Sequence, residues 1–367
     1  MASPRVLLLL TEFPSWHFAR CWSYCVQFGL EEGLAANGVE FTSVVTPFQW
    51  RSRGFLPSGP FDQVWVEVVH NRAISPAWLE WIAGLAPVRV ALVAESLAYT
   101  PEECTLNPIF AQRRELVRSR LRHFTHALFV DEVDATETAA ALPLQTLWWP
   151  QAVPGRFCIP RARKPTYPVA GFCGSPYGKR ARWLRHPALR DVLKYLPSPE
   201  VGTIFPLLFD SCYRTAQIWS ILEPAPIRAL GNAALLHSLR RIRRQCYGLW
   251  MNGMRSVQAV VNLPHLVKAY PGRIVEAMGV GRPVISWAIP DRPRTRQLFE
   301  DGKEIMLYSG REYGELATCI HRVLADQMLA ERLVGNARRK VLAYHTMEKR
   351  VEQILAWIEA GKQPSYQ

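Results

Sequence analysis

The chain has 367 residues, too many for one ordinary core and suited to two domains of roughly 150 to 200 residues. Hydrophobic residues at 49% and charged residues at 20% exclude an intrinsically disordered chain. The formal charge of +13 points to an anionic partner: nucleic acid, a membrane surface or a phosphorylated small molecule. No RNA-binding or helix-turn-helix signature accompanies the basic residues, so a nucleic-acid role is set aside.

In chain order, Val6–Leu10 is an apolar run far shorter than a membrane span or a signal-peptide core, and it reads as a buried first strand. The expected location is accordingly cytoplasmic. A helix is predicted over Phe18–Ala36, ended by Asn37-Gly38, and a second strand over Phe41–Val45. Strand, helix, strand opens a parallel α/β sheet. The rhythm continues with a strand at Val64–Val69, a helix at Pro76–Ala83 and a strand at Val88–Ala94. A helix at Arg113–His123, a strand at Ala127–Val130 and a last strand at Gln145–Trp149 follow.

Prolines 150, 154, 160, 165 and 168 then mark an extended linker. Val169–Gly174 restarts as a strand breaking into a turn. Beyond a stretch with no clear period come a strand at Val257–Leu263, a helix at Gly272–Met278 and a strand at Pro283–Trp287. Helices are predicted near 312–326, 330–342 and 346–360. The boundaries expected are 1–155, 156–345 and a terminal segment 346–367 that returns to the first domain.

The eight cysteines form no CxxC pair and no zinc-like cluster, so a reducing compartment and no metal site are expected. No Asp-x-Asp occurs. Gly174-Ser-Pro-Tyr-Gly178-Lys179 is one residue short of a P-loop, and Arg180 replaces the hydroxyl that would hold magnesium, so an ATPase is rejected. Gly279-Val-Gly281 follows a helix and lacks a third glycine, which argues against a nicotinamide dehydrogenase.

The most informative segment is Val261–Trp287. Arg273 and Glu276, three apart, share a helical face, while Gly279 and Gly281 turn the chain into the next strand. A carboxylate there can accept hydrogen bonds from a ribose diol, and an arginine beside it can neutralise a diphosphate. A surface Arg–Glu pair is the plain alternative.

This segment, with Leu298–Tyr308 and Asn336–Leu355, resembles the group 1 glycosyltransferases, especially the branch akin to spore-maturation glycosyltransferases. Gly171–Arg180 resembles the opening of that family's second domain, and Trp148–Phe157 its interdomain crossover. The resemblance implies a GT-B fold, α/β with two Rossmann-like domains facing across a cleft, and transfer of a sugar from a nucleotide diphosphate donor. It implies no cofactor beyond that donor, which is a substrate, and a glycan, lipid or small-molecule hydroxyl as acceptor.

By position, Glu276 would bind the ribose and Arg273 the phosphates. Gly174, Ser175, Lys179 and Arg180 lie in the loop where relatives place diphosphate-binding groups, and His265 joins the donor side. Lys268 stands where retaining relatives usually carry a glutamate, which leaves donor contact and stereochemical outcome open. His17 is the candidate general base, being an imidazole after the first strand, with Glu12 and Glu95 as alternatives. The basic helix at 112–123 suggests peripheral contact with an anionic leaflet, a solvated helix packed on its sheet being the alternative. A sugar-nucleotide epimerase on the same fold and a non-catalytic binding protein are the other classes.

Overall fold

The computed structural model describes residues 3–10, 25–45, 60–69, 75–158, 164–176, 178–196 and 225–367. His17 and Glu12 lie outside them. The first sheet contains β1 (Arg5–Leu10), β2 (Glu40–Val45), β3 (Gln63–Glu67), β4 (Val88–Val93), β5 (His126–Phe129) and β6 (Gln145–Trp148). Its order is β2-β1-β3-β4-β5-β6, and every pairing is parallel. The second sheet contains β7 (Tyr167–Cys173), β8 (Leu193–Leu196), β9 (Val257–Asn262), β10 (Val284–Trp287) and β11 (Met306–Tyr308). Its order is β11-β10-β9-β7-β8, again all parallel.

A parallel sheet is covered on both faces, so its strands read as apolar runs. Val6 to Leu10 are each at most 2% exposed. The order reverses at β1 in the first sheet and between β7 and β9 in the second. Ligands of open α/β sheets bind at such switch points, beyond the carboxyl ends of the strands.

The helices are α1 (Leu30–Ala36), α2 (Pro76–Ala83), α3 (Ile109–Leu121), α4 (Glu132–Ala141) and α5 (Lys179–Arg185). They continue with α6 (Ala225–Arg255), α7 (Gly272–Gly279), α8 (Tyr313–Ala325), α9 (Gln327–Tyr344) and α10 (Met347–Ala360). A π-helical turn at Cys25–Gly29 leads into α1. Most ends agree with the sequence pattern because caps define them: Ser75 Oγ accepts from Trp78 N at the start of α2, and Asp326 and Thr346 do likewise for α9 and α10. The 31-residue α6 has no counterpart in the sequence reading. Gly231, Gly248 and Gly253 lower its helical propensity, whereas packing against β9, β2 and α7 supports it. No helix among the described residues is long and apolar enough to cross a membrane.

The basic stretch predicted at 112–123 belongs to α3, and four of its arginines have partners within the protein. Arg113 and Arg120 are buried, Arg113 on Glu95 and Tyr99 and Arg120 on the Val68 carbonyl. Arg114 and Arg118 pair with Glu137 of α4.

The two sheets are joined through two groups of contacts. In one, α10 packs on α1, where Gly33 leaves no room for a side chain: a Cβ there would meet Val351 and lie 2.7 Å from the Met347 carbonyl. Asn37 Nδ2 donates to the Glu348 carbonyl at 2.9 Å, and Tyr366 Oη donates to the Trp148 carbonyl at 2.7 Å. Glu31 and Glu32 of α1 form two-point ion pairs with Arg240 of α6 and Arg156, respectively.

In the other, Arg292 Nε and Nη2 donate to Asp131 at 2.6 and 3.1 Å, and Thr295 Oγ1 donates to Glu132 at 2.8 Å. Asp131 also accepts from Ser96 Oγ, while Asp134 accepts from Leu97 N at 2.6 Å. Asp131, Glu132 and Asp134 are all buried. Burial, then the neighbouring Asp131 charge, pushes the Asp134 carboxyl up to about 7.

Candidate active site at the edge of the second sheet

β7 ends at Cys173, and Gly174 turns the chain at φ 148°, a conformation that side chains resist. The turn also admits a guanidinium: a Cβ on Gly174 would stand 2.5 Å from Arg273 Nη2. Arg273 is on the first turn of α7, which Pro271 starts and Gly272 opens. Its Nη1 donates to Asn262 Oδ1 at 3.0 Å, and its guanidinium lies 4.8 Å from the centre of the Phe172 ring. Arg180, on α5, approaches the same ring at 5.3 Å and donates to the Ser175 carbonyl at 3.3 Å. Both arginines are buried, at 3% exposed for Arg180 and 8% for Arg273. Two cations so close to one ring, at the carboxyl ends of β7 and β9 and beside a helix N-terminus, favour an anion there.

His265 follows β9 on the same edge. Its Nδ1 accepts from Val267 N at 3.0 Å. Burial, then the charges of Arg180 and Arg273, hold the imidazolium form well below its usual range. The ring is therefore neutral, and because Nδ1 accepts, the proton is on Nε2. That buried N–H has no hydrogen-bond partner among the described residues, and neither does the indole Nε1 of Trp287, whose ring centre lies 6.2 Å away.

Glu276, one turn after Arg273, faces different neighbours. Its Oε1 accepts from Tyr247 Oη and its Oε2 from Trp250 Nε1, both at 2.8 Å, and both donors are on α6. The Cys25 thiol, from the first domain, lies 3.9 Å from Oε1 and 3.3 Å from Tyr247 Oη. Burial raises the carboxyl above the ordinary range, against the pull of Trp250, Tyr247 and Arg273. Cys173 is pushed up to about 12 by burial, with Arg273 opposing.

The remaining sequence candidates lie farther out. Lys179 is exposed and pairs with Glu102 at 3.0 Å. Lys268 reaches the first domain: its backbone N–H donates to Ser96 Oγ at 2.7 Å, and Nζ donates to the Ala98 carbonyl at 2.8 Å with Glu103 at 3.4 Å. Glu95 is ion-paired with Arg113. Arg273, Arg180, Gly174, Ser175, His265 and Glu276 are thus gathered at one sheet edge, whereas Lys179 and Lys268 contact residues of the first domain.

Sequence reading missed Tyr247, Trp250 and Asn262. Asn262 had a usable signal, an amide closing the apolar run Ala259–Val261 where a strand meets its loop. Tyr247 and Trp250 had none, because their helix was unreadable.

Residues 224–356 match the family described as glycosyl transferase-like. No curated protein matches the chain. Among solved structures, sucrose-phosphate synthase from Thermosynechococcus elongatus is similar over 98% of this chain and 100% of that one, at 12% identity and a TM-score of 0.56. HepE from Anabaena, in complex with UDP and glucose, covers 97% and 100% at 12% identity and 0.55. OtsA in its apo structure covers 99% and 100% at 11% and 0.54. The two parallel α/β sheets are those of a GT-B fold.

Proposed function

We propose that this chain transfers a sugar from a nucleoside diphosphate donor to a hydroxyl acceptor, on a glycan, lipid or small molecule, without a metal. The observation that carries the reading is the arginine pair Arg273 and Arg180 at the carboxyl edge of the second sheet, with Glu276 on the same helix as Arg273. The match of residues 224–356 to a glycosyl transferase-like family supports it. A diphosphate leaving group gains negative charge as the glycosidic bond breaks, so cations fixed beforehand lower the barrier. In this reading Arg273 and Arg180 take that charge, with Lys179 at the rim, and Glu276 accepts the ribose hydroxyls.

His17 is the proposed acceptor base, ahead of Glu12. Glu95 ranks below both because its carboxylate is committed to Arg113. The proposed setting is the cytoplasm. Peripheral contact with an anionic leaflet through the basic stretch 112–123 would use exposed Arg122 with the partly exposed Arg114 and Arg118, since Arg113 and Arg120 are buried.

The test is calorimetric titration with UDP, GDP, ADP and dTDP, repeated on Glu276→Ala. UDP comes first because HepE was captured with UDP-glucose. One nucleotide should bind selectively, and the variant should weaken it roughly tenfold, about 1.4 kcal/mol. No binding to any of the four would remove the transferase reading.

A second reading, nucleotide binding without turnover, is favoured by Lys268, whose ammonium contacts the first domain. It predicts a normal titration with no nucleotide released from any sugar donor.

A further inference from the structure

Glu276 is a buried carboxylate with both oxygens occupied by neutral donors of one helix: Tyr247 Oη on Oε1 and Trp250 Nε1 on Oε2, each at 2.8 Å. Tyr247 and Trp250 are three residues apart on α6, so they present their donors side by side. The Tyr247 ring is fixed in turn by Phe157, whose ring meets it edge-on at 4.7 Å, and Arg156 caps Phe157 at 4.0 Å. Phe157 belongs to the interdomain crossover, and Arg156 is held by Glu32 of the first domain. A carboxylate offers about four lone-pair positions, and two strong donors leave about two.

We propose that Tyr247 and Trp250 are positioning residues: their paired hydrogen bonds hold the Glu276 carboxylate in one orientation, with its remaining lone pairs left for a ribose diol. The inference rests on the nucleotide-site reading above. It adds that the unread helix α6, not the loop after β9, supplies the groups that aim the ribose-binding carboxylate.

The arrangement explains how a carboxylate stays useful without water. Burial alone favours its neutral form, whose hydroxyl would compete with a ribose hydroxyl for the role of donor. The Trp250 N–H and the Tyr247 O–H oppose that, as do the nearby Arg273 charge and, more weakly, the Cys25 thiol. The groups facing Glu276 are Cys25 from the first domain, Tyr247 from α6, Cys173 from β7 and Arg273 from its own helix. Burial raises both thiols and the phenol, so all three stay protonated near neutrality. The arginine stays charged, and Glu276 is the acidic group of this set that burial raises from its ordinary range.

The test compares UDP, GDP and ADP, each with its 2′-deoxy counterpart, on the full chain and on Trp250→Phe, Tyr247→Phe and Glu276→Gln between pH 5 and 8. The ribo/deoxy ratio reads contact with the 2′-hydroxyl and cancels titration of the phosphates. In the wild type the ribonucleotide should be preferred, and the preference should fade as pH falls through the Glu276 pKa. Each Phe variant should lower the preference roughly tenfold, the size of a hydrogen bond to a charged group. Each should also move the midpoint of the pH profile upward, since a donor that favours the ionised form is gone.

If both Phe variants fold and keep the wild-type ratio and midpoint while Glu276→Gln loses the ratio, the positioning role is overturned and the site stands. Equal loss for ribo and deoxy ligands in both variants would mark a structural role only and also overturn it. Failure of the wild type to bind any of the nucleotides would overturn both readings, a result distinct from the other two.

Discussion

Asp134 shows how a single residue is tuned by where the fold puts it. Its carboxyl is buried beside Asp131 and accepts one backbone N–H from Leu97, and its pKa of about 7 stands well above the ordinary 3.8. The folded chain therefore keeps a proton that the unfolded chain has lost between about pH 4 and 7. Stability attributable to this group falls as pH rises through that window and levels off above it. Asp134→Asn keeps an acceptor for Leu97 and removes the titration. The variant should be the more stable chain at pH 8, by on the order of 1 kcal/mol or more, with a smaller difference at pH 5. Urea melts at the two pH values check this, and a difference that does not change with pH would contradict it. Gly174 is a second case at this scale. Alanine there must adopt an unfavourable φ and displace the Arg273 guanidinium. Nucleotide affinity should drop at least tenfold, about 1.4 kcal/mol, while the melting curve moves less than for a core truncation.

At the scale of elements, α1 and α10 meet so closely that Gly33 is the contact. Gly33→Ala places a methyl against Val351 and the Met347 backbone, and the backbone atom cannot rotate away. Overpacking of this kind costs about 1–3 kcal/mol. Val351→Ala in the same chain should recover only part of that, because the Met347 carbonyl stays in place. A double-mutant cycle of urea melts measures the coupling. The helix α3 makes the contrasting point that two of its arginines, Arg113 and Arg120, serve the interior. Arg113→Ala removes the cation that Glu95 and Tyr99 share and should cost about 3 kcal/mol. Co-flotation with anionic vesicles tests the membrane expectation separately, and removing Arg113 should leave it unchanged.

For the whole molecule, the relation between the sheets is set by two groups of contacts. Arg292 with Asp131, Thr295 with Glu132 and Lys268 with Ser96 and Ala98 form one. The packing of α10 on α1 and the Glu31–Arg240 pair form the other. On the transferase reading proposed above, such contacts would bring the domains over the donor and exclude water, and their release would let product leave. Arg292→Met leaves Asp131 buried with its cation removed, an imbalance worth about 3–5 kcal/mol. The expected outcome is a larger radius of gyration by small-angle scattering, with each sheet still folded by circular dichroism. A variant as compact as the wild type would show that the Asp131 group of contacts does not hold the domains together.

Period and punctuation were enough to read most of the elements, because they depend on residues a few positions apart. The apolar runs gave β1, β4, β9 and β10 within a residue or two, and Pro271-Gly272 gave the start of α7. They also put Arg273 and Glu276 on one short helix. What each of those side chains faces was not legible: Arg273 meets Phe172 and Asn262 from two strands, and Glu276 meets Tyr247, Trp250 and Cys25 from two other segments. The same holds for Lys268, whose contacts with residues 96–103 exist only because the domains face each other. Local pattern records which face of an element is apolar, whereas a polar cluster is assembled by chain crossings dozens to hundreds of residues long. Local pattern was therefore enough for the strand rhythm of the first sheet, for β7, β9 and β10 of the second, and for the helix that carries the candidate donor residues, whereas β8 and β11 went unread. Tertiary structure alone decided which charges are buried together, and so which of them can act on a ligand.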